Sequence, residues 1–236
     1  MKKTFAPFAP SRFNLLVPSL LDTFLSPARP SLKICGVTTS ADAERLVELG
    51  VHALGINFWD KSKRFCPVQS ARAFLPALKD RILRVGVFVN AEPDLPRQLL
   101  EGDLIDLAQF HGDETVDYCG PFAHDRLPFI KAIGVTRHIG LEEAAAFHAR
   151  GLLLDAHAPE LYGGTGRVID WMVAAEFVST TPEIPVILAG GITPDNAAEA
   201  LTTVGPAALD VASGAESAPG VKDFQKVEAL LAAINP

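Results

Sequence analysis

Cysteine is scarce in this chain, and its three copies, Cys35, Cys66 and Cys119, make no C-x-x-C pair and no regular ligand spacing. That argues against a zinc site and against a disulfide framework, and it suits a reducing, cytoplasmic setting. No apolar run reaches the roughly 18 residues of a membrane span, so no membrane partner is expected. No basic run fits a nucleic-acid backbone and the formal net charge is -7, so nucleic acid is not an expected partner either. A G-x-G-x-x-G turn is missing after the first apolar run, where only Gly36 stands, which weakens an open dinucleotide-binding sheet. No G-K-[ST] follows any glycine stretch, which excludes a P-loop. No low-complexity linker divides the 236 residues, so a single core is expected.

What is present is a repeated unit. Leu32-Lys33-Ile34-Cys35 is a short apolar run that breaks at Gly36, and Thr39, Ser40 and Asp42 are placed to cap a helix from Ala41 to Leu49. Strand-like runs follow at 52–58, 83–88, 105–110, 129–133, 151–155, 184–189 and 207–211. Helical patterns lie between them at 67–78, 93–100, 141–149, 171–177 and 194–201, a short helix starts at 114–118, and 221–234 closes the chain. Several strands are nearly continuous apolar runs, as parallel strands covered by helices are. Eight units between Leu32 and Pro236 predict one α/β (βα)8 TIM barrel, with a doubly wound open sheet as the runner-up. Residues 1–31, with an apolar stretch cut by Pro7, Pro10 and Pro18, read as a flexible extension of uncertain role; a targeting segment and a misplaced start are the alternatives.

In a barrel the chemistry sits at the C-terminal strand ends. Those ends carry Lys33 and Cys35, Asn57, Asn90, Gln109 with His111 and Asp113, Lys131, Asp155, Asp210 and Ser213 in turn. Gly190-Gly191 after the seventh strand and Ser213-Gly214 after the eighth let backbone N–H groups approach an anion, and together they favour a phosphate site. Gly163, Gly164, Thr165 and Gly166 lie in a long connection after the sixth strand and suggest a flap that closes on substrate. Asp170 is placed to cap the next helix.

These pieces carry a resemblance. KICGVT at 33–38, ALGINF at 53–58, KSKR at 61–64, GVFVN at 86–90, QFHGDE at 109–114, LLLD at 152–155, GGTG at 163–166, LAGGI at 188–192 and DVASGAE at 210–216 occur in this order. The chain resembles the phosphoribosylanthranilate isomerases, (βα)8 enzymes of tryptophan biosynthesis, from about Leu32 to Ile234. The resemblance implies an Amadori rearrangement of an N-linked 5-phosphoribosyl anthranilate to its deoxyribulose ketoamine phosphate, an aldose–ketose isomerisation with no metal and no cofactor. It assigns Cys35 as general base, Asp155 as general acid, Arg64 near the anthranilate end, and the 190–191 and 213–214 loops to the phosphate. Lys33, Asn57, Gln109 and His111 are candidate substrate contacts. Ala212 departs from the commoner serine of the family, with a small residue retained.

A carboxyl acid working near neutral pH needs a raised pKa and a thiol base a lowered one, for which Lys33 is the candidate charge. The rivals are another phosphosugar isomerase, which wants Asp where Cys35 stands, and a catalytically silent phosphometabolite-binding barrel. The partner expected is a small anionic phosphosugar; monomer and homodimer both fit.

Overall fold

The computed structural model describes residues 18–135, 141–156 and 170–235. Eight strands, β1 (Ser31–Cys35), β2 (Ala53–Asn57), β3 (Leu83–Phe88), β4 (Leu107–Phe110), β5 (Phe129–Val135), β6 (Leu152–Ala156), β7 (Val186–Leu188) and β8 (Ala208–Val211), pair in sequence order and close into a barrel. All eight pairings are parallel, and β8 returns to β1 with Lys33 beside Asp210. The helices between them are α2 (Ser40–Glu48), α3 (Val68–Arg72), α4 (Asp94–Glu101), α5 (Val116–His124), α6 (Leu141–Ala145), α7 (Trp171–Thr180) and α8 (Ala197–Val204), and α9 (Phe224–Ile234) follows β8. The (βα)8 expectation is what forms. Among the described residues no helix is long and apolar enough to cross a membrane.

The strand period of two explains how one sequence builds both a core and a site. On β1, Leu32 and Ile34 face outward into the large cluster shared with the helices, while Ser31, Lys33 and Cys35 occupy the alternate face. On β4, Ala108 and Phe110 pack outward, and Leu107 and Gln109 take the inner face. The barrel interior holds Ala53, Leu83, Val85, Leu107, Ile130, Leu153, Ile187 and Ala208. It is therefore apolar toward the N-terminal ends of the strands and polar toward their C-terminal ends.

Caps set several of the helix starts. Thr39 accepts from Asp42 N and opens α2, and Asp170 accepts from Met172 N at 3.0 Å and opens α7. The 67–78 pattern does not give one helix: α3 stops at Arg72, and a 3-10 turn at Leu75–Leu78 carries Pro76, which has no N–H to continue an α-helical ladder. The Ala-rich stretch at 141–149 yields only α6, and His148 beyond it takes φ +52. The closing helix begins at Phe224, not Val221. Ahead of it β9 (Glu216–Ala218) and β10 (Val221–Lys222) form an antiparallel hairpin that turns at Gly220, and Asp223 accepts from Gln225 N and Lys226 N to start α9.

Residues 18–31 differ from the flexible extension expected of them. Ser19 accepts from Asp22 N and caps a short helix, α1 (Leu20–Phe24). Phe24 is fully buried, Leu25 is buried, and both join the apolar interior cluster at the N-terminal end of the barrel. The physical reason is that this closed barrel leaves its N-terminal mouth apolar, and the Phe24-Leu25 pair a few residues ahead of β1 covers it. Residues 1–17 lie outside the described residues.

Candidate active site

Polar side chains reach the C-terminal mouth because they hold inward positions near the ends of β1, β2, β4, β6 and β8. Lys33 is fully buried beneath Cys35, and its ammonium donates to Asp210 Oδ1 at 2.8 Å. The register puts Gly55 beside Cys35. A Cβ at Gly55 would stand 3.0 Å from Cys35 Sγ and 3.1 Å from Lys33 Nζ, so the missing side chain is what lets thiol and ammonium share one space. Burial pushes the Cys35 thiol up; the Lys33 and Lys222 charges pull it back, and Asp210 opposes them. The thiol therefore sits above its ordinary value, not below as a base acting at neutral pH would require, and added positive charge is what opposes burial here.

Across the mouth Asp155 ends the inner face of β6. Its Oδ1 accepts from Ala156 N at 2.8 Å, and its Oδ2 lies 3.1 Å from His111 Nε2. Gln109 Nε2 lies 2.7 Å from His111 Nδ1. With the Gln109 amide donating, His111 carries its own proton on Nε2 and donates it to the carboxylate. Gln109 is fully buried and Oε1 finds no partner among the described residues. Asn57 orders its own loop: its Oδ1 accepts from Trp59 N at 2.9 Å.

That loop delivers Arg64. Its Nε lies 2.9 and 3.0 Å from the two Glu216 carboxylate oxygens, and its Nη2 lies 2.7 Å from Oε2, a bidentate pair. The guanidinium stem crosses Gly36, which has φ +75, and a Cβ there would collide with Arg64 Cδ. Arg64 thus lies immediately beside Cys35.

The two glycine loops meet. Gly190 and Gly191 have φ +81 and +68 after β7, and Ser213 and Gly214 form a 3-10 turn after β8. A Cβ at Gly214 would run into the Ile192 carbonyl. Asn196 braces the first loop, its Nδ2 donating to Gly191 O at 3.0 Å and its Oδ1 accepting from Thr193 N at 2.8 Å. Because β7 and β8 separate β6 from β1 on the ring, these loops stand between Asp155 and Cys35. The expected flap, Gly163 to Gly166, lies outside the described residues. Among the described residues no group of three or more His, Cys, Asp or Glu is arranged to hold a metal.

Residues 32–233 match the family model of N-(5'-phosphoribosyl)anthranilate isomerase. The chain belongs to this family. The isomerase of Trichlorobacter lovleyi is 41% identical over 200 residues, 85% of this chain and 95% of that protein. The crystal structure of phosphoribosyl anthranilate isomerase from Thermotoga maritima is 33% identical with a TM-score of 0.77, and the match covers 87% of this chain and 98% of that one. A structure of the isomerase in complex with reduced 1-(o-carboxyphenylamino)-1-deoxyribulose 5-phosphate is 32% identical with a TM-score of 0.74, over 87% of this chain and 98% of that one.

Within this isomerase barrel several residues near the mouth take partners that no local sequence signal announces. Asp210 stood among the strand-end polar groups, but nothing adjacent in sequence pairs it with Lys33, 177 positions away. Glu216 and Lys222 lie outside the rim that the sequence predicts, because the helical pattern at 221–234 conceals the hairpin that carries them. In the sequence Gly55 is one residue of the ALGINF run, with nothing local to mark it as room for the thiol and the ammonium. Lys131 faces outward, where its ammonium donates to Gly112 O at 2.7 Å and to Glu114 at 3.0 Å and so staples the loop after β4.

Proposed function

We propose that this isomerase-family chain converts N-(5'-phosphoribosyl)anthranilate to 1-(o-carboxyphenylamino)-1-deoxyribulose 5-phosphate in tryptophan biosynthesis, with Cys35 as base and Asp155 as acid. The observation that carries the assignment is the position of the thiol and the carboxyl on inner strand ends of one mouth, with the paired glycine loops between them on the ring. A sugar phosphate held by those loops lies within reach of both sides.

The chemistry needs two proton transfers. Asp155 gives a proton to the furanose ring oxygen as the anomeric C–O bond breaks and the anthranilate nitrogen lone pair forms the C=N bond. Cys35, as thiolate, removes the proton from sugar C2, and those electrons form the enolamine. The enolamine tautomerises to the ketoamine by losing its C2 hydroxyl proton and gaining one at C1. Cys35 and Asp155 then return to their starting states by proton exchange with water. Once Asp155 has given up its proton, the N–H groups of Ala156 and His111 stabilise the carboxylate formed. Lys33 acts from below on the thiolate, because its ammonium is fully buried. Arg64 faces the anthranilate carboxylate. Asn57 and Gln109, expected as substrate contacts, act one layer back instead: Asn57 is bonded to the Arg64 loop, and Gln109, fully buried, holds His111. Gly190, Gly191, Ser213 and Gly214 hold the phosphate. Three free cysteines fit a reducing, cytoplasmic setting.

Cys35→Ala and Asp155→Asn each remove one transfer, and acid or base catalysis contributes about 10²- to 10⁴-fold. Single-turnover rates with substrate deuterated at ribose C2 test this. The expected result is at least a roughly hundredfold slower step in each variant with the fold retained. A near-parental, isotope-sensitive rate in Cys35→Ala would remove the thiol from the mechanism.

A further inference from the structure

The hairpin of β9 and β10 places a second ammonium at the base-bearing strand. Lys222 is fully buried in its side chain; its Nζ lies 2.6 Å from the Cys35 carbonyl oxygen and 2.6 Å from Glu216 Oε1. The same Glu216 carboxylate holds Arg64, and its Oε1 also accepts from Gly220 N at 3.2 Å. Lys226 Nζ donates to the Glu216 carbonyl at 2.7 Å. Lys222 is thus one end of a continuous chain, from the Cys35 backbone through Glu216 to the Arg64 guanidinium.

We propose that Lys222 is a positioning residue for the isomerisation, acting through the Cys35 backbone and Glu216 to hold the base and Arg64 in one arrangement and to favour the thiolate. The role rests on Cys35 being the base. A chain of lysine, carboxylate and arginine beside the separate Lys33–Asp210 pair is more than packing requires, since buried charges cost free energy unless each is paired. On the Cys35 side of the mouth, Lys33 from β1, Arg64 from the β2 loop and Lys222 from β10 face Asp210 from β8 and Glu216 from β9, while Lys226 from α9 is balanced by Asp223. Three cations against two carboxylates leave one positive charge unbalanced, and ionisation of the thiol balances it. Asp155 and His111 stand on the far side of the mouth, three strands away along the ring. Burial lowers the Lys222 ammonium against the pull of Glu216 and Cys35, the mark of a charge kept in a dry place by its partners.

Lys222→Met removes the charge at nearly constant length, and Lys222→Arg keeps it. The first readout is the pH dependence of Cys35 alkylation by iodoacetamide, followed at that residue by mass spectrometry. It needs no substrate, so it is independent of the reaction assigned above. Lys222→Met is expected to shift the alkylation profile up by about one pH unit, which is about tenfold slower labelling at neutral pH. The rising limb of the kcat/KM profile should move by the same amount. KM should rise as well, because Arg64 loses its brace, and Lys222→Arg should restore both. A purely structural lysine would lower Tm and leave both pH profiles in place. If Lys222→Met does not fold, Lys222→Gln, which keeps a donor without the charge, takes its place. A folded variant whose alkylation and kcat/KM profiles superimpose on the parent overturns the proposal. A shifted alkylation profile in Lys222→Met, with a parent that never turns over phosphoribosylanthranilate, would overturn the reaction assigned above and with it the role in isomerisation, leaving only the effect of Lys222 on the thiol.

Discussion

Phe24→Ala tests whether α1 is a built part of the barrel. Phe24 is fully buried and packs into the interior cluster with Leu83, Leu107, Ile130 and Ile187 at the N-terminal mouth. Burying a phenylalanine removes roughly 150 to 200 Å² of apolar surface from water, worth roughly 4 to 5 kcal/mol at about 25 cal/mol per Å². Measured Phe→Ala changes in cores fall at about 3 to 5 kcal/mol, in agreement. For a chain of this size each kcal/mol moves Tm by about 2 to 4 °C, so a loss of about 4 kcal/mol lowers Tm by roughly 8 to 16 °C. Urea unfolding followed by circular dichroism measures the free energy directly, and the midpoint should fall with m little changed. Activity at 20 °C should hold, because α1 covers the mouth opposite the site. Truncation to Ser31 removes Phe24 and Leu25 together and should cost at least as much. A loss below about 1 kcal/mol for Phe24→Ala would show that the helix only leans on the barrel, and the packing argument would fail.

Gly191→Asp should weaken affinity for a phosphorylated product analogue in calorimetry, since it sets a carboxylate where the phosphate is proposed to lie. Gly191→Asn, of equal size and tolerant of positive φ, separates charge from backbone strain; equal losses in the two variants would count against a phosphate at that loop. The Cys119 thiol, pushed up to about 11 by burial from an ordinary 9.0, makes stability fall at alkaline pH. The folded chain keeps that proton where the unfolded chain releases it, so the contribution is complete below about pH 9 and is lost as pH rises through about 11. Between pH 8 and 10.5, Cys119→Val should lose less stability in urea than the parent, by on the order of 2 kcal/mol. Parallel slopes in the two proteins would defeat that assignment.

The eight-unit pattern, and with it the barrel and its polar rim, was legible in the chain because apolar period and turn residues are local signals. Cys35 and Asp155 stand out for the same reason, each near the end of a recognisable strand; the roles of base and acid are what the family resemblance implies for them. Thr39 and Asp170 announced their caps, since a cap acts within three residues. Other features depended on partners far away in sequence. Pro76 broke a plausible helix, and the pattern at 221–234 concealed a hairpin whose strand pairing, not its apolar spacing, decides Val221 and Lys222. Phe24 looked like part of a proline-broken tail, because an apolar mouth waiting to be covered exists only after eight strands have closed. The sequence by itself determined most of the groups at the strand ends, since alternation along a strand is set by the backbone; Lys131, expected on the rim, faces outward because Ile130 and Ala132 take the inner positions of β5. Tertiary structure alone decided how those groups are charged and held. The pairings of Lys33 with Asp210, Arg64 with Glu216 and Lys222 with the Cys35 carbonyl join residues 152 to 187 positions apart, and an electrostatic environment depends on distance in space, not along the chain.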